Sequence, residues 1–195
     1  MRCFVGLELP AEVQAAAGEV LRELKRSGAD LKWVRPENLH VTLKFLGEVE
    51  DGRTQEICQA IEAACAGQPA LELSLAEAGA FPSPQRPQVV WLGLAGQVAE
   101  LAGLAGRIDE ALAGLSFAPE ARPFKAHVTL GRLRRGKGGA RSSASSAPLT
   151  RALVGLASQA GHEGPSFVAQ RVVLMKSTLT PQGSIYDPVQ VITLR

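Results

Sequence analysis

No stretch of this 195-residue chain approaches the roughly 20 consecutive apolar residues of a membrane-spanning helix, and the amino terminus lacks the basic-then-apolar pattern of a secretory leader. A cytoplasmic protein without a membrane role is therefore expected. Cysteine is scarce. Cys3, Cys58 and Cys65 are odd in number and form no C-x-x-C, which argues against a disulfide framework or a structural zinc site and for buried reduced thiols. Aromatic residues make up only 5% of the chain, too few for a long row of stacking platforms along a nucleic-acid strand. Acidic residues vanish between Ala121 and His162, where Arg122, Lys125, Arg132, Arg134, Arg135, Lys137, Arg141 and Arg151 fall. The net charge is only +2, so this block is a local excess that points to an anionic ligand, phosphate first.

Of the three histidines, two stand in a repeated tetrapeptide, His40-Val41-Thr42-Leu43 and His127-Val128-Thr129-Leu130. Each copy alternates polar and apolar residues with the period of a β-strand. In the first copy the pleat is expected to turn Val41, Leu43 and Phe45 into a core and His40, Thr42 and Lys44 the other way. His127 follows His40 by 87 residues, and Trp91-Leu92-Gly93-Leu94 follows Phe4-Val5-Gly6-Leu7 by the same 87. An amphipathic helix follows each of those runs, with Val13, Ala16, Val20, Leu21 and Leu24 in the first and Leu101, Leu104, Ala105, Ile108 and Leu112 in the second. Equal offsets at separated places indicate duplication, with units of about 2–47 and 89–134 inside a single bilobal domain, 1–195.

Between and after the repeats, Asp51 is placed to cap a helix carrying Ile57, Ala60, Ile61, Ala64 and Cys65, and Leu71, Leu73 and Leu75 alternate as a strand. The segment 80–87 reads as a stiff proline-rich connection and 136–146 as a flexible loop. Leu149, Leu153, Leu156 and Ala160 mark a further helix. Two closing strands, Phe167 to Met175 and Tyr186 to Leu194, are joined through Thr180-Pro181-Gln182-Gly183. The expected fold is α+β: two pseudo-symmetric lobes, each an antiparallel sheet with helices on its outer face, and a catalytic cleft between the sheets.

A pseudo-twofold would bring His40 and His127 to one cleft, with Thr42 and Thr129 beside them. One neutral imidazole can then take a proton from a nucleophile while the other, protonated, gives one to a leaving oxygen. Threonine hydroxyls and a nearby cation can hold the non-bridging oxygens of a phosphate. Two histidines without neighbouring carboxylates are too few ligands for zinc or magnesium, so no metal and no other cofactor is expected. The rival expectation is a non-catalytic protein whose paired motifs anchor RNA or phosphate.

The paired H-x-T-x motifs resemble the 2H phosphoesterase superfamily. More narrowly, the run from Trp33 through Arg35-Pro36-Glu37-Asn38-Leu39-His40-Val41-Thr42-Leu43-Lys44-Phe45-Leu46 to Gly47 resembles the bacterial and archaeal RNA 2′,3′-cyclic phosphodiesterases, also known as 2′-5′ RNA ligases. The likeness extends over Gly79-Ala80-Phe81-Pro82, Trp91-Leu92-Gly93, Arg122 and Phe124, and the segment Ser177 to Tyr186. It implies metal-independent hydrolysis of an RNA or nucleoside 2′,3′-cyclic phosphate to a 2′-phosphate, with 2′-5′ ligation as the reverse chemistry and tRNA processing as a setting. His40 matches the proton donor, His127 the proton acceptor, Thr42 and Thr129 the phosphate-orienting threonines, and Arg132 a phosphate-binding cation. Another cyclic or 2′-5′ linked nucleotide is the alternative substrate. The partners implied are RNA ends or nucleotides bearing a cyclic phosphate, and a monomer is expected.

Two positions strain the resemblance. Arg132 stands at odd spacing from His127, so an even pleat sends it to the opposite face; either the strand ends or bulges near Gly131, or Arg132 is not the phosphate ligand. Lys125-Ala126 stands where many relatives carry proline, and Lys125 is expected to cap the strand with charge. Trp33 and Phe45 are assigned to core packing, with contact to a base as the alternative; Arg134 and Arg135 are assigned to solvated surface, with the RNA backbone as the alternative, and His162 to a surface loop.

Overall fold

The chain is described here from a computed structural model covering residues 1–133, 146–158, 164–181 and 183–195. Arg134, Arg135, His162 and nearly all of the 136–146 segment lie outside the described residues. In chain order the elements are β1 (Arg2–Glu8), α1 (Ala11–Lys25), β2 (Leu31–Trp33), β3 (His40–Glu48), α2 (Thr54–Cys65), β4 (Leu71–Ser83), β5 (Arg86–Gly96), α3 (Val98–Ala113), β6 (His127–Leu133), α4 (Ser146–Ser158), β7 (Ser166–Ala169), β8 (Arg171–Thr180) and β9 (Gly183–Thr193). No helix among the described residues is long and apolar enough to cross a membrane.

Pro10 opens α1 from the N-cap position, where its missing N–H leaves nothing unsatisfied, and its carbonyl accepts from Gln14 N at 2.9 Å. The helix buries Val13, Ala17, Leu21 and Leu24, and the expected Ala16 and Val20 pack partly buried against the same core. Asp51 gives α2 no side-chain cap. It opens a single 3₁₀ turn, and Thr54 Oγ1 donates to the Asp51 carbonyl at 3.0 Å. The proline-rich 80–87 segment is a hairpin, with Pro82 opposite Pro87 at its tip, where neither ring removes a central ladder bond.

All nine strands among the described residues join one sheet in the order β7-β4-β5-β6-β3-β1-β8-β9, with β2 also against β6. The expected α+β lobes are present, β3-β1-β8-β9 and β6-β5-β4-β7, and they meet where Val41 pairs antiparallel with Val128. Those valines are 87 residues apart, and a residue paired with its own counterpart is what a twofold axis through that point produces. The lobes exchange strands: β4 completes the lobe of β5, while β8 and β9 complete the lobe of β1.

One face of the sheet carries the core. Val5, Leu7, Val41 and Leu43 from one lobe, with Val90, Leu92, Val128 and Leu130 from the other, join the buried sides of all four helices in a single apolar cluster. Leu21, Leu24, Ile57, Ile61, Leu101, Leu104, Ile108 and Leu112 are wholly buried there, each contributing about 1.5–3 kcal/mol by leaving water.

Both motif strands are bulged at the same place. Pairing steps from Val5–Lys44 to Gly6–Thr42, leaving Leu43 extra, and from Val90–Gly131 to Trp91–Thr129, leaving Leu130 extra. An extra residue reverses the alternation beyond it. The expectation for Lys44 and Phe45 is therefore corrected: Lys44 is 2% exposed on the core side and Phe45 is 51% exposed on the other. Buried Lys44 is satisfied. Its Nζ donates to Asp109 Oδ1 and to the Ala118 carbonyl, each at 2.5 Å, and Asp109 also accepts from Glu120 N at 3.2 Å. A cation on β3 thus ties α3 to the segment that leads into His127.

Removing one partner of a buried pair strands the other's charge. Asp109→Ala should cost about 3 kcal/mol in urea denaturation, and pairing it with Lys44→Met should return stability to within about 1 kcal/mol of the parent. A loss under about 1 kcal/mol for the single variant would show that the pair is not an anchor.

Candidate active site

The face opposite the helices holds both histidines, each in the same setting. His40 Nδ1 lies 2.7 Å from the Asn38 carbonyl and His127 Nδ1 lies 2.6 Å from the Lys125 carbonyl. A carbonyl only accepts, so each Nδ1 carries the proton and each Nε2 is left as the nitrogen that exchanges one. For His40 that nitrogen is 3.0 Å from Thr42 Oγ1. Asn38 is itself fixed, its side chain donating to the Ser184 carbonyl at 2.6 Å in the β8–β9 hairpin.

Aromatic rings hold the imidazoles in place. Phe4 stacks on His40 with centroids 4.6 Å apart, and Tyr186 meets it edge-on at 5.2 Å and 90°. Phe81 meets His127 edge-on at 5.4 Å and 90°, with Trp91 at 6.4 Å. Phe4 and Trp91 are repeat counterparts, whereas Tyr186 and Phe81 arrive on the exchanged strands β9 and β4. Two glycines admit these rings. A Cβ at Gly6 would sit 2.7 Å from the Val41 carbonyl beside His40, and one at Gly79 would sit 2.4 Å from the Trp91 ring.

Lys125 does more than cap the strand. Its ammonium lies 4.5 Å from the Trp91 ring centroid and 5.3 Å from that of Phe81, a cation–π placement next to His127. Burial lowers the pKa of His127 below the usual imidazole range against the opposing pull of the Lys125 carbonyl, and the charges of Arg132 and Lys125 lower it further. Burial likewise lowers His40, opposed by the Asn38 carbonyl, with Arg132 and His127 adding to the depression. Both imidazoles are thus biased towards neutrality in the free site.

A cavity of about 960 Å³ opens beside this pair, and His40, Thr42, Thr129 and Arg132 stand in its walls with Phe45, Trp33 and Tyr186. His127 is not a wall residue of that cavity; it flanks it, two residues from Thr129 on the same strand. One step from the Val41–Val128 pair on either side, antiparallel register sets Thr129 across from His40 and Thr42 across from His127. The bulge beyond Thr129 brings Arg132 to this face, which answers the question of its spacing. Among the described residues no Asp or Glu lines the cavity, and no group of three or more His, Cys, Asp and Glu is clustered as a metal site.

The family model described as LigT like Phosphoesterase matches the chain twice, over residues 7–91 and 92–186. The chain belongs to the LigT-like phosphoesterase family. Two similar proteins are RNA 2′,3′-cyclic phosphodiesterases: one from Methanothermobacter thermautotrophicus, 32% identical over 194 residues and covering 100% of this chain and 99% of that protein, and one from Archaeoglobus fulgidus, 34% identical over 195 residues and covering 98% and 99%. Among solved structures, one from Thermus thermophilus matches with a TM-score of 0.77 at 24% identity, covering 100% and 98% of the two chains. The Escherichia coli LigT complexed with 3′-AMP matches at 0.72 and 23%, covering 99% and 97%. This LigT-like phosphoesterase is thus an enzyme of the 2H group, as the paired motifs led one to expect.

Of the residues expected from the sequence, the structure brings His40, Thr42, Thr129 and Arg132 into the walls of one cavity, with His127 beside it. Sequence reasoning missed Phe81 and Tyr186 as cage walls, and it assigned Phe45 to the core. The signals for the cages were the alignment of Phe4 with Trp91, which gives one wall of each, and the presence of Phe81 and Tyr186 in segments that carry the family resemblance.

Because the Lys125 ammonium disfavours the imidazolium of His127, Lys125→Met should raise the His127 pKa, followed through its Cε1 proton in an NMR titration. A midpoint unchanged or lowered would remove Lys125 from the site's electrostatics.

Proposed function

We propose that this phosphoesterase hydrolyses the 2′,3′-cyclic phosphate of an RNA end or nucleoside to a 2′-phosphate without a metal, with His127 as proton acceptor and His40 as proton donor. The observation that carries the reading is the matched pair of imidazoles, each with its Nδ1 proton held by the carbonyl two residues earlier, which leaves Nε2 as the nitrogen that exchanges a proton. His127 Nε2 takes a proton from water, the water oxygen attacks phosphorus, the bond to O3′ breaks, and His40 Nε2 gives O3′ its proton. Thr42, Thr129 and Arg132 hold the non-bridging oxygens as charge builds on them.

A donor with a depressed pKa needs help to stay charged, and the substrate supplies it. Arg132 is among the causes that lower both histidines, and a bound phosphodiester neutralises it while adding an anion of its own. Substrate therefore lifts His40 towards the protonated state in which it can act. Phe45, turned out by the bulge and 6.1 Å from Phe4, offers an apolar wall for the base. Ligation uses the same groups with the 5′-hydroxyl of a second RNA in place of the attacking water; hydrolysis dominates because water needs no second positioned end. On this reading the chain is a single bilobal domain of two related units, about 2–47 and 89–134, acting as a cytoplasmic monomer on RNA ends.

Incubated with a nucleoside 2′,3′-cyclic phosphate in excess chelator, the purified protein should release the 2′-phosphate, seen by ³¹P NMR. His40→Ala and His127→Ala should each lower kcat by about 10²–10⁴-fold with the circular dichroism unchanged. RNA binding without turnover would instead favour a non-catalytic anchor.

Since kcat/KM reports the free enzyme and both imidazoles lie below the usual 6.5 there, its pH profile should be a bell centred on the acid side of that value. The kcat profile should lie at higher pH, because bound phosphate raises both groups. A kcat/KM profile flat across the imidazole range would count against two-histidine catalysis.

A further inference from the structure

The cavity extends well beyond the groups needed for one cyclic phosphate. Besides Arg132, cations from three elements line it: Arg2 on β1, Lys25 at the end of α1, and Lys32 on β2, together with Arg35 in the turn that follows. Among the described residues no carboxylate lines it to balance them. Arg35 is already engaged, its Nε lying 3.1 Å from Glu37. Arg2 stands opposite Glu48 in the β1–β3 ladder.

Lys32 is in a different position. It pairs directly with Arg132 across the β2–β6 ladder, so both side chains leave the sheet on the same face. Side chains directly opposite have Cβ atoms about 4.5–5.5 Å apart, and like charges there repel. Both residues are exposed on this wall, and Trp33, next to Lys32, packs against Gly131, which holds β2 to the bulge that aims Arg132. Anionic groups seated against the two cations offset this repulsion and add favourable contacts. In the reading above Arg132 serves the reacting phosphate, so the next anion along the wall is a second phosphate of the same strand.

Resting on that reading, we propose that Lys32, with Lys25 beyond it, binds the phosphate on the 5′ side of the terminal nucleotide. The cleft is thereby fitted to an RNA 3′ end carrying an upstream phosphodiester, rather than to an isolated cyclic nucleoside.

The test compares three substrates: a nucleoside 2′,3′-cyclic phosphate, the same compound with a 5′-phosphate, and a hexaribonucleotide ending in a 2′,3′-cyclic phosphate. The parent enzyme should prefer the second and third. Lys32→Gln should lower the ratio of kcat/KM for either of them to that for the first by about tenfold, chiefly through KM, and Lys32→Arg should restore it. A ratio unchanged by Lys32→Gln would overturn the proposal. Binding is measured separately by fluorescence anisotropy with a labelled hexaribonucleotide bearing a 2′-phosphate. There Lys32→Gln should reduce the slope of log affinity against log salt by about 0.7, the loss of one single-strand phosphate contact. An unaltered slope would overturn the proposal whether or not the parent turns over any substrate; loss of turnover with the altered slope would fault the catalytic reading and uphold the phosphate subsite.

Discussion

The backbone pairing of Val41 with Val128 is the contact on which the rest of the molecule depends. It is where the two lobes become one sheet, and it lies one residue from each histidine. A junction so short does not hold two lobes by itself. It is reinforced where β2 pairs with β6, and where the Lys44 ammonium crosses from β3 to Asp109 and the Ala118 carbonyl of the other lobe. Each reinforcement leaves from the motif strands or their immediate neighbours, so the spacing between the histidines is fixed by the same contacts that fix the lobes. On the proposed reading, catalysis by two positioned groups depends on geometry held to a fraction of an ångström, and the anchoring concentrated here serves that need.

Within that frame the two bulges make equal strands unequal. The same extra residue after H-V-T turns position 44 or 131 towards the helices and position 45 or 132 towards the cleft. In one lobe those places hold Lys44 and Phe45, in the other Gly131 and Arg132. One bulge therefore delivers an interlobe anchor and an apolar wall, and its counterpart delivers room for Trp33 and a phosphate-seeking cation. Duplication alone would give two histidines of equal character; the divergence of these four residues, with Lys125 on the second side, sets them apart.

How legible this was in the sequence follows from the range of each signal. The H-V-T-L pair, the 87-residue offset and the two amphipathic helices are local patterns, and they carried the lobes and the placing of His40, Thr42, His127 and Thr129 on one face of the sheet. The bulge was harder, because period-two alternation continues unbroken through Lys44 and Phe45 and invites a buried Phe and an exposed Lys. Only the odd spacing of Arg132 hinted otherwise. The exchange of β4 and β8 between lobes leaves no periodic trace at all, since it is a choice of partner rather than of local conformation. For the same reason Phe81 and Tyr186 went unassigned as cage walls: each is far in sequence from the histidine it touches.

The cages carry a chemical consequence that the motifs alone do not. Rings packed on both imidazoles remove water from them, and the local cations oppose a positive charge there as well, so the empty site rests with its histidines biased neutral. A permanently charged His40 would add to Arg132 and Lys125 as a general sink for anions. On the proposed reading, a His40 donor whose protonated form is favoured as a phosphodiester arrives couples proton uptake to binding, and the coupling works in both directions: whatever anion raises the imidazole pKa is bound more tightly when the proton is present. On the same reading, charge and the Thr42 and Thr129 hydroxyls together favour phosphate over weaker anions. The Nδ1 bonds to Asn38 and Lys125 keep that proton on the nitrogen facing the substrate, because the other position is already filled.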